Sequence, residues 1–202
     1  MSKYLIVMRC GQAEFQPDVR KYGVWQRDAP LTNPGRLKMM RAAQGLKLWG
    51  CITEVHCSTY PRAVDSMEIL VHTLGLKVGA VRTPNESLDP CDPDEWDHEY
   101  ATWLGDRPML TAPMLTPTDL RRMWPRLIDN CILRVHEGSK KVVEGLGLEE
   151  TALLVSHNPL VSFAEHAWSE MPFRALIGCG ESVILEFTDD HQFASSTFIP
   201  IV

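Results

Sequence analysis

The sequence contains no long hydrophobic run, and this absence limits where the protein can act. In its first ten residues, MSKYLIVMRC, only five apolar residues separate Lys3 from Arg9. That is too short for the core of a signal peptide, and no later stretch is long enough to span a membrane. We therefore expect a cytoplasmic protein with no membrane partner.

An excess of positive charge is also missing. The chain carries 26 acidic against 20 basic residues and a formal net charge of −6. Such a balance gives no electrostatic reason to coat nucleic acid or an anionic lipid surface, although a local basic pocket remains compatible with it. We expect no nucleic-acid partner.

The patterns typical of protein metal sites are absent as well. None of the six cysteines forms a CxxC pair or has a histidine at zinc spacing. The acidic residues of segment 89–99 lack the spacing and the glycine of an EF-hand loop. We predict no metal site. Because a chain of 202 residues can fold without disulfides and nothing points to secretion, we also predict reduced thiols.

Short apolar segments typical of strands alternate along the chain with amphipathic segments typical of helices. Strands are predicted at residues 4–8, 52–57, 77–81, 151–156, 182–187 and 195–201. Helices are predicted at residues 35–49, 62–74 and 118–144 and from Pro159 onward, with Asn33 as the cap of the first. Their apolar spacing places Leu37, Met40 and Leu133 on buried faces. Segment 85–117 is predicted to be a long loop with room for one short helix.

This alternation predicts an α/β fold, a three-layer α/β/α sandwich with a mostly parallel central sheet. No repeat, low-complexity tract or linker divides the chain, so residues 1–202 are expected to form a single domain.

Three of the predicted strands end in polar residues. Arg9-Cys10-Gly11 follows the first strand, residues 58–62 follow the second, and Ser156-His157-Asn158 follows the strand at 151–156. In open α/β sheets ligands bind where strands end, guanidinium pairs with phosphate bidentately, and imidazole can donate to a further oxygen. Arg9, Arg62 and His157 together therefore predict an oxyanion pocket. Taken alone, Arg9 and His157 are more often structural, Arg62 at a helix start is unremarkable, and Cys10 is best interpreted as a small buried apolar group.

Four segments resemble motifs of the histidine phosphatase superfamily, whose fold is phosphoglycerate mutase-like. LIVMRCG at 5–11 is similar to its first strand and Arg-His-Gly signature, and APLTNPG at 29–35 to its Pro-Leu-Thr-x-x-Gly segment. CSTYPRA at 57–63 is similar to its Ser-x-x-x-Arg-Ala segment, and LVSHNP at 154–159 to its second histidine motif. Chain length and the last motif are closest in style to phosphohistidine phosphatases. The loop at 85–117 is more like the mutase branch, so both assignments stay open.

By position, the resemblance implies that Arg9, Arg62 and His157 clamp a phosphate and that residue 10 attacks phosphorus. Where the family has histidine, this chain has Cys10. Some members use a carboxylate from the loop after the third strand as general acid, and Glu86 is our candidate among the acidic residues there, which also include Asp89, Asp92 and Asp94. The resemblance further implies a phosphate-bearing small molecule or phosphoprotein as partner, and no metal or organic cofactor.

Two hypotheses remain open for Cys10. Its side chain is shorter than histidine, and misplacement on the order of 1 Å can cost roughly a hundredfold in rate. Nearby arginines are expected to lower the thiol pKa and favour thiolate, a good nucleophile. The signature of cysteine-based phosphatases is absent, because position 16 is Gln16 and not arginine. We expect phosphate binding with greatly weakened catalysis; the alternative is a catalytically inactive pseudophosphatase that binds a phosphorylated ligand or partner.

Overall fold

Five strands and four α-helices make up the part of the chain that the computed structural model describes, namely residues 2–14, 29–49, 52–77, 84–89, 122, 125–157, 160–169 and 177–201. The strands are β1 (Lys3–Arg9), β2 (Ile52–Cys57), β3 (Thr151–Ser156), β4 (Ser182–Phe187) and β5 (Phe193–Ile199). The α-helices are α1 (Asn33–Leu46), α2 (Pro61–Leu74), α3 (Pro125–Gly145) and α4 (Leu160–Ser169). Short 3-10 helices lie at Lys47–Trp49 and Glu86–Leu88.

The strands form one mixed sheet in the order β2-β3-β1-β4-β5. β3 pairs in parallel with both β1 and β2, whereas β4 is antiparallel to β1 and to β5. The prediction of a mostly parallel sheet is therefore wrong for the β4–β5 side. The short connection between β4 and β5 explains the antiparallel direction of that pair, since a tight turn can join only antiparallel neighbours.

Helices cover both faces of the sheet, which confirms the predicted α/β/α layers. On β1, Leu5 and Val7 belong to the core cluster that includes residues of α3 and α4. The alternate residues Ile6 and Met8 belong to the cluster that includes residues of α1 and α2. Successive side chains of a strand point to opposite faces, so a central strand covered on both sides is apolar throughout.

Helix α1 buries a narrower stripe than its sequence predicts. Its buried residues include Met39, Ala43 and Leu46, but Leu37 and Met40 are 59% and 46% exposed. Met40 follows Met39 by one residue and so lies about 100° round the helix from the buried stripe. Leu133 on α3 is likewise 53% exposed, against the prediction.

The start of α1 is fixed to the chain that follows β1. Thr32, and not the predicted Asn33, caps the helix by accepting a hydrogen bond from the backbone N–H of Gly35. Thr32 also donates from its backbone N–H to the carbonyl oxygen of Gln12, at 2.9 Å. These contacts hold the loop after β1 against the first turn of α1.

Several sequence predictions can be compared only in part. Residues 78–81 of the predicted third strand and residues 118–121 of the predicted helix lie outside the described residues. Of the loop at 85–117, the structure describes residues 85–89, which include the 3-10 helix Glu86–Leu88. None of the described helices combines the length and apolar character needed to cross a membrane.

The thiol prediction holds at three described cysteines. Cys10, Cys57 and Cys179 are free. Cys131 is disulfide-bonded, so the prediction of reduced thiols is wrong at that position.

Two glycines of α1 provide a matched test of how closely the loop after β1 packs on this helix. A Cβ atom added to Gly35 would lie 2.3 Å from the backbone oxygen of Gln12, whereas one added to Gly45 would meet nothing within 4 Å. We expect Gly35→Ala to lower the free energy of unfolding by about 1–3 kcal/mol and Gly45→Ala to raise it by about 0.5–1 kcal/mol. Urea unfolding measures both, and equal effects would contradict the packing described.

Candidate active site

Three neighbouring strands end at the same edge of the sheet. Arg9 on β1 is opposite Ser156 on β3, and Cys57 on β2 is opposite Val155. The hydrogen-bond ladder continues past the strands, because Cys10 N–H donates to the Ser156 oxygen at 2.8 Å and Ser58 N–H to the Val155 oxygen at 2.9 Å. The residues that follow these strands therefore emerge side by side.

At this edge the structure brings together four residues that the sequence predicted for one pocket. Cys10 Sγ lies 3.3 Å from His157 Nδ1, and Arg62 Nε donates to the same nitrogen, also at 3.3 Å. Cys10, Arg62 and His157 are only 5%, 7% and 4% exposed. Arg9 donates from Nη1 to the Ile177 oxygen at 2.6 Å, and its charge acts on both the thiol and the imidazole.

The orientation of His157 is set by Ser58. The Ser58 hydroxyl donates to Asp89 Oδ1 at 2.7 Å, because a carboxylate can only accept. Because the Ser58 hydroxyl has only one proton and donates it to Asp89, its oxygen must accept a hydrogen bond from His157 Nε2, which lies 2.8 Å away. The ring is thus assigned as the Nε2–H tautomer, and the lone pair on Nδ1 faces Cys10 and Arg62.

Of the acidic residues predicted near the site, Asp89 is the one that the structure connects to it. Its carboxylate accepts from Ser58 and also from the backbone N–H and the hydroxyl of Thr59, both at 2.6 Å. Glu86 is exposed at the start of its 3-10 helix. No contact among the described residues joins its carboxylate to Cys10, Arg62 or His157. Asp92 and Asp94 lie outside the described residues.

Arg62 is held in place by its neighbours on and before α2. Its guanidinium carbon lies 4.8 Å from the centre of the Tyr60 ring, a cation–π distance, and that ring lies 5.1 Å from the imidazole of His157. The Ser66 hydroxyl donates to the Arg62 carbonyl and accepts from Gly11 N–H, which joins the first turns of α2 to the chain after β1. Sequence patterns did not single out Ser66 or Tyr60, because serine and tyrosine near a helix start are common.

Burial, more than charge, decides the protonation of the pocket. Burial raises the pKa of the Cys10 thiol to about 11, and the opposing effects of Arg62 and Arg9 do not overcome it. The arginines act to lower this pKa, as expected, but the thiolate is not favoured, since removing the thiol from water disfavours its charged form. Burial, and then Arg62 and Arg9, hold the pKa of His157 well below its usual range. Both groups are neutral near pH 7.

Comparison with known proteins shows the family of this chain. The model of the histidine phosphatase superfamily (branch 1) matches residues 5–197. The chain belongs to this superfamily. The resemblance noted in its sequence motifs is confirmed, with cysteine at position 10. No curated protein matches the chain.

Several solved structures share the phosphoglycerate mutase-like fold. The protein histidine phosphatase SixA complexed with tungstate has a TM-score of 0.62 at 18% identity, with 97% of this chain and 94% of SixA covered. Phosphoglycerate mutase from Bacillus anthracis str. Sterne has a TM-score of 0.65 at 14% identity, covering 96% and 91%. Mycobacterial glucosyl-3-phosphoglycerate phosphatase has a TM-score of 0.64 at 19% identity, covering 98% and 97%. At these identities the similarity shows the fold.

No group of three or more histidine, cysteine, aspartate or glutamate side chains is placed to hold a metal ion, as far as the described residues extend.

The raised pKa of Cys10 predicts a specific loss of stability in alkali. Below pH 9 the thiol is protonated in both folded and unfolded chains; between pH 9 and about 11 only the unfolded chain loses the proton. The free energy of unfolding should therefore fall over this window, by up to about 1.4 kcal/mol per pH unit from this group. Cys10→Ser removes the titration and should give a shallower pH dependence in urea unfolding.

Cys57, whose pKa is raised to about 12 by burial, is present in both the wild type and Cys10→Ser. The difference between their free energies of unfolding therefore reports on Cys10 alone. If the free energy of unfolding fell equally with pH in the wild type and in Cys10→Ser between pH 9 and 11, the raised pKa of Cys10 would be contradicted.

Proposed function

We propose that this chain is a phosphatase that binds the phosphoryl group of a phosphomonoester or a phosphorylated protein side chain among Arg9, Arg62 and His157, and that it turns over slowly because Cys10 is at the nucleophile position. One observation carries the proposal. A buried imidazole and a buried guanidinium meet at 3.3 Å, and the charge of a second guanidinium acts on that imidazole.

The two arginines supply the charge that a phosphoryl group requires. A guanidinium has five N–H donors in a planar fork that fits two oxygens of one phosphate. Arg62 is also the second residue of α2 (Pro61–Leu74), so the positive end of this helix lies at the same edge of the sheet and favours an anion. In a pocket that excludes water these interactions are stronger than at a surface.

His157 would contribute through Nδ1. Without a ligand, Nδ1 is an acceptor and would repel phosphate oxygens. A phosphate dianion offsets the arginine charges that lower the His157 pKa, so its arrival favours a proton on Nδ1. The imidazolium can then donate to a phosphate oxygen or to the departing oxygen of the substrate, while Ser58 continues to accept from Nε2.

Cys10 would act as a poor nucleophile. The thiolate would form an S–P bond while the P–O bond to the leaving group breaks, and water would then attack phosphorus, release phosphate and restore the thiol. With a pKa of about 11, only about one thiol in 10⁴ is ionised at pH 7. His157 Nδ1, 3.3 Å from Sγ, is placed to accept the thiol proton before attack.

Names of structurally similar proteins support a phosphate-bearing substrate without selecting one. They include a protein histidine phosphatase and a glucosyl-3-phosphoglycerate phosphatase. A phosphoprotein and a small phosphomonoester are therefore both retained as substrate classes.

A second candidate is a catalytically inactive member that binds a phosphorylated ligand or partner protein. The protonated, buried Cys10 favours it. The combination of Arg9, Arg62 and His157 favours the enzyme, because a scaffold used only for protein contacts has little need of that set.

Restoring histidine at position 10 tests the enzymatic proposal. We expect wild-type protein to hydrolyse para-nitrophenyl phosphate measurably and Cys10→His to be faster by about a hundredfold or more, because the imidazole fills the in-line position. Thiol alkylation should abolish hydrolysis by the wild type. Cys57→Ala, which removes another buried free thiol, is the control and should match the wild type. Inert wild type and Cys10→His proteins that still bind phosphate would favour the binding protein.

Removing one clamp residue tests the binding site itself. A charge-assisted hydrogen bond contributes about 1.5–3 kcal/mol, so Arg9→Ala should weaken binding of inorganic phosphate by about 10- to 100-fold in calorimetric titration. Arg36→Ala is the matched control, because Arg36 lies on the surface paired with Asp65 at 3.2 Å. If both variants bind phosphate equally well, or the wild type binds none, the site is assigned wrongly.

A further inference from the structure

We propose that Cys10 and Cys179 form a reversible disulfide that closes the phosphate pocket, so that the cysteine at the nucleophile position makes the site sensitive to peroxide. The formation of this bond is independent of the proposed function, whereas its effect on phosphate binding rests on it.

The backbone places the two cysteines opposite each other. Arg9 donates from its N–H to the Glu181 oxygen at 3.0 Å and accepts from Gly180 N–H at 2.9 Å. Gly180 and Glu181 thus both lie opposite Arg9. This is a β-bulge, and Gly180 has the left-handed backbone conformation with φ 81. Before the bulge Met8 is paired with Ser182, so after it residue 10 comes opposite residue 179.

The turn that carries Cys179 is closed and well defined. Glu181 N–H donates to the Gly178 oxygen at 3.0 Å, and the Glu181 carboxylate accepts from Gly178 N–H at 2.5 Å. The peptide group between Arg9 and Cys10 and the one between Cys179 and Gly180 are joined by the Gly180–Arg9 hydrogen bond, and from this we infer Cα atoms within the range of about 4.4–6.8 Å that a disulfide spans. The two thiols also interact electrostatically.

The two thiols differ in the way that a peroxide-sensing pair requires. Both are free, and Cys179 is partly exposed whereas Cys10 is buried. Cys179 is therefore the group that meets the oxidant, and Cys10 is the resolving thiol.

The chemistry balances with hydrogen peroxide as the oxidant. The Cys179 sulfur attacks one peroxide oxygen, the O–O bond breaks, and a sulfenic acid and one water are formed. Cys10 Sγ then attacks the sulfenic sulfur, the S–O bond breaks, and a second water leaves as the S–S bond forms. His157 Nδ1, 3.3 Å from Cys10 Sγ, accepts the thiol proton and passes it to the departing hydroxide. Two thiols have lost two electrons to one peroxide, and a dithiol reductant reverses the change.

The disulfide would act directly on the proposed phosphate site. In the disulfide the Cys10 sulfur is bonded to Cys179 and can no longer attack phosphorus. The bond also joins position 10 to the segment that contains Ile177, whose carbonyl oxygen accepts a hydrogen bond from Arg9. The crosslink would also place Cys179 over the edge of the sheet at which Arg9, Arg62 and His157 converge. Substrate would then be excluded until the bond is reduced.

Non-reducing peptide mapping tests the crosslink. Full-length reduced protein is treated with hydrogen peroxide, remaining thiols are alkylated, and peptides are identified by mass spectrometry. Apart from any pair that contains Cys131, which is itself disulfide-bonded, we expect a peptide pair joining Cys10 to Cys179 in wild type and in the control Cys57→Ala, and none in Cys179→Ser. Recovery of both cysteines as separate alkylated or sulfinic peptides in oxidised wild type would overturn the proposal.

Calorimetric titration with inorganic phosphate tests the effect on the pocket. Oxidised wild type should bind at least about tenfold more weakly than reduced wild type, recover after reduction, and differ from Cys179→Ser, which should be insensitive to peroxide. A crosslinked protein that binds phosphate as well as the reduced form would overturn the closure of the pocket. If reduced wild type binds no phosphate, the proposed function fails, and peptide mapping still decides whether the disulfide forms.

Discussion

The hydrogen-bond ladder that continues beyond β1, β2 and β3 is the constraint on which the site depends. Cys10 and Ser58 each donate a backbone hydrogen bond to a residue of β3, so the first residues after three separate strands are fixed at one level. Parallel strands end at the same edge of a sheet, and this alignment brings together side chains that are 95 and 147 positions apart in the sequence.

Burial gives this pocket its electrostatic character. Arg62 and Arg9 would stabilise a thiolate at position 10 in a wetter site, but here the cost of removing a charged sulfur from water is larger, and the pKa of Cys10 rises to about 11. The same burial leaves His157 neutral. Two cationic side chains and two neutral ones converge here, while the Asp89 carboxylate accepts hydrogen bonds from Ser58 and Thr59, so the pocket favours an incoming anion.

The layers and most strands could be predicted from the pattern of apolar residues. A strand covered on both faces, such as β3, is buried at all six residues and therefore stands out as a continuous apolar run. The direction of β4 against β1 could not be predicted, because these strands are far apart in the sequence, whereas the antiparallel pairing of β4 with β5 follows from the short connection between them. Exposure of Leu37 and Met40 was missed because α1 buries only one stripe, and helical spacing alone does not say which of two adjacent apolar residues faces the sheet.

For the site, the positions of Arg9, Arg62 and His157 followed from strand ends and from four short motifs. The link from Asp89 through Ser58 to His157 did not, because it depends on the rotamers of three side chains from different segments. The protonation state of Cys10 could not be predicted either, because the sequence indicates which charges lie nearby but not how completely the thiol is shielded from water. The opposition of Cys10 and Cys179 arises from a bulge at Gly180, and a single glycine does not reveal it.

The most direct measurement is a crystal structure of the reduced protein with tungstate, a tetrahedral oxyanion that mimics phosphate. We expect one tungstate at the carboxyl ends of β1, β2 and β3, with its oxygens within about 3 Å of donor nitrogens of Arg9, Arg62 and His157. A pocket left empty at saturating tungstate, or an anion bound only elsewhere on the protein, would contradict it.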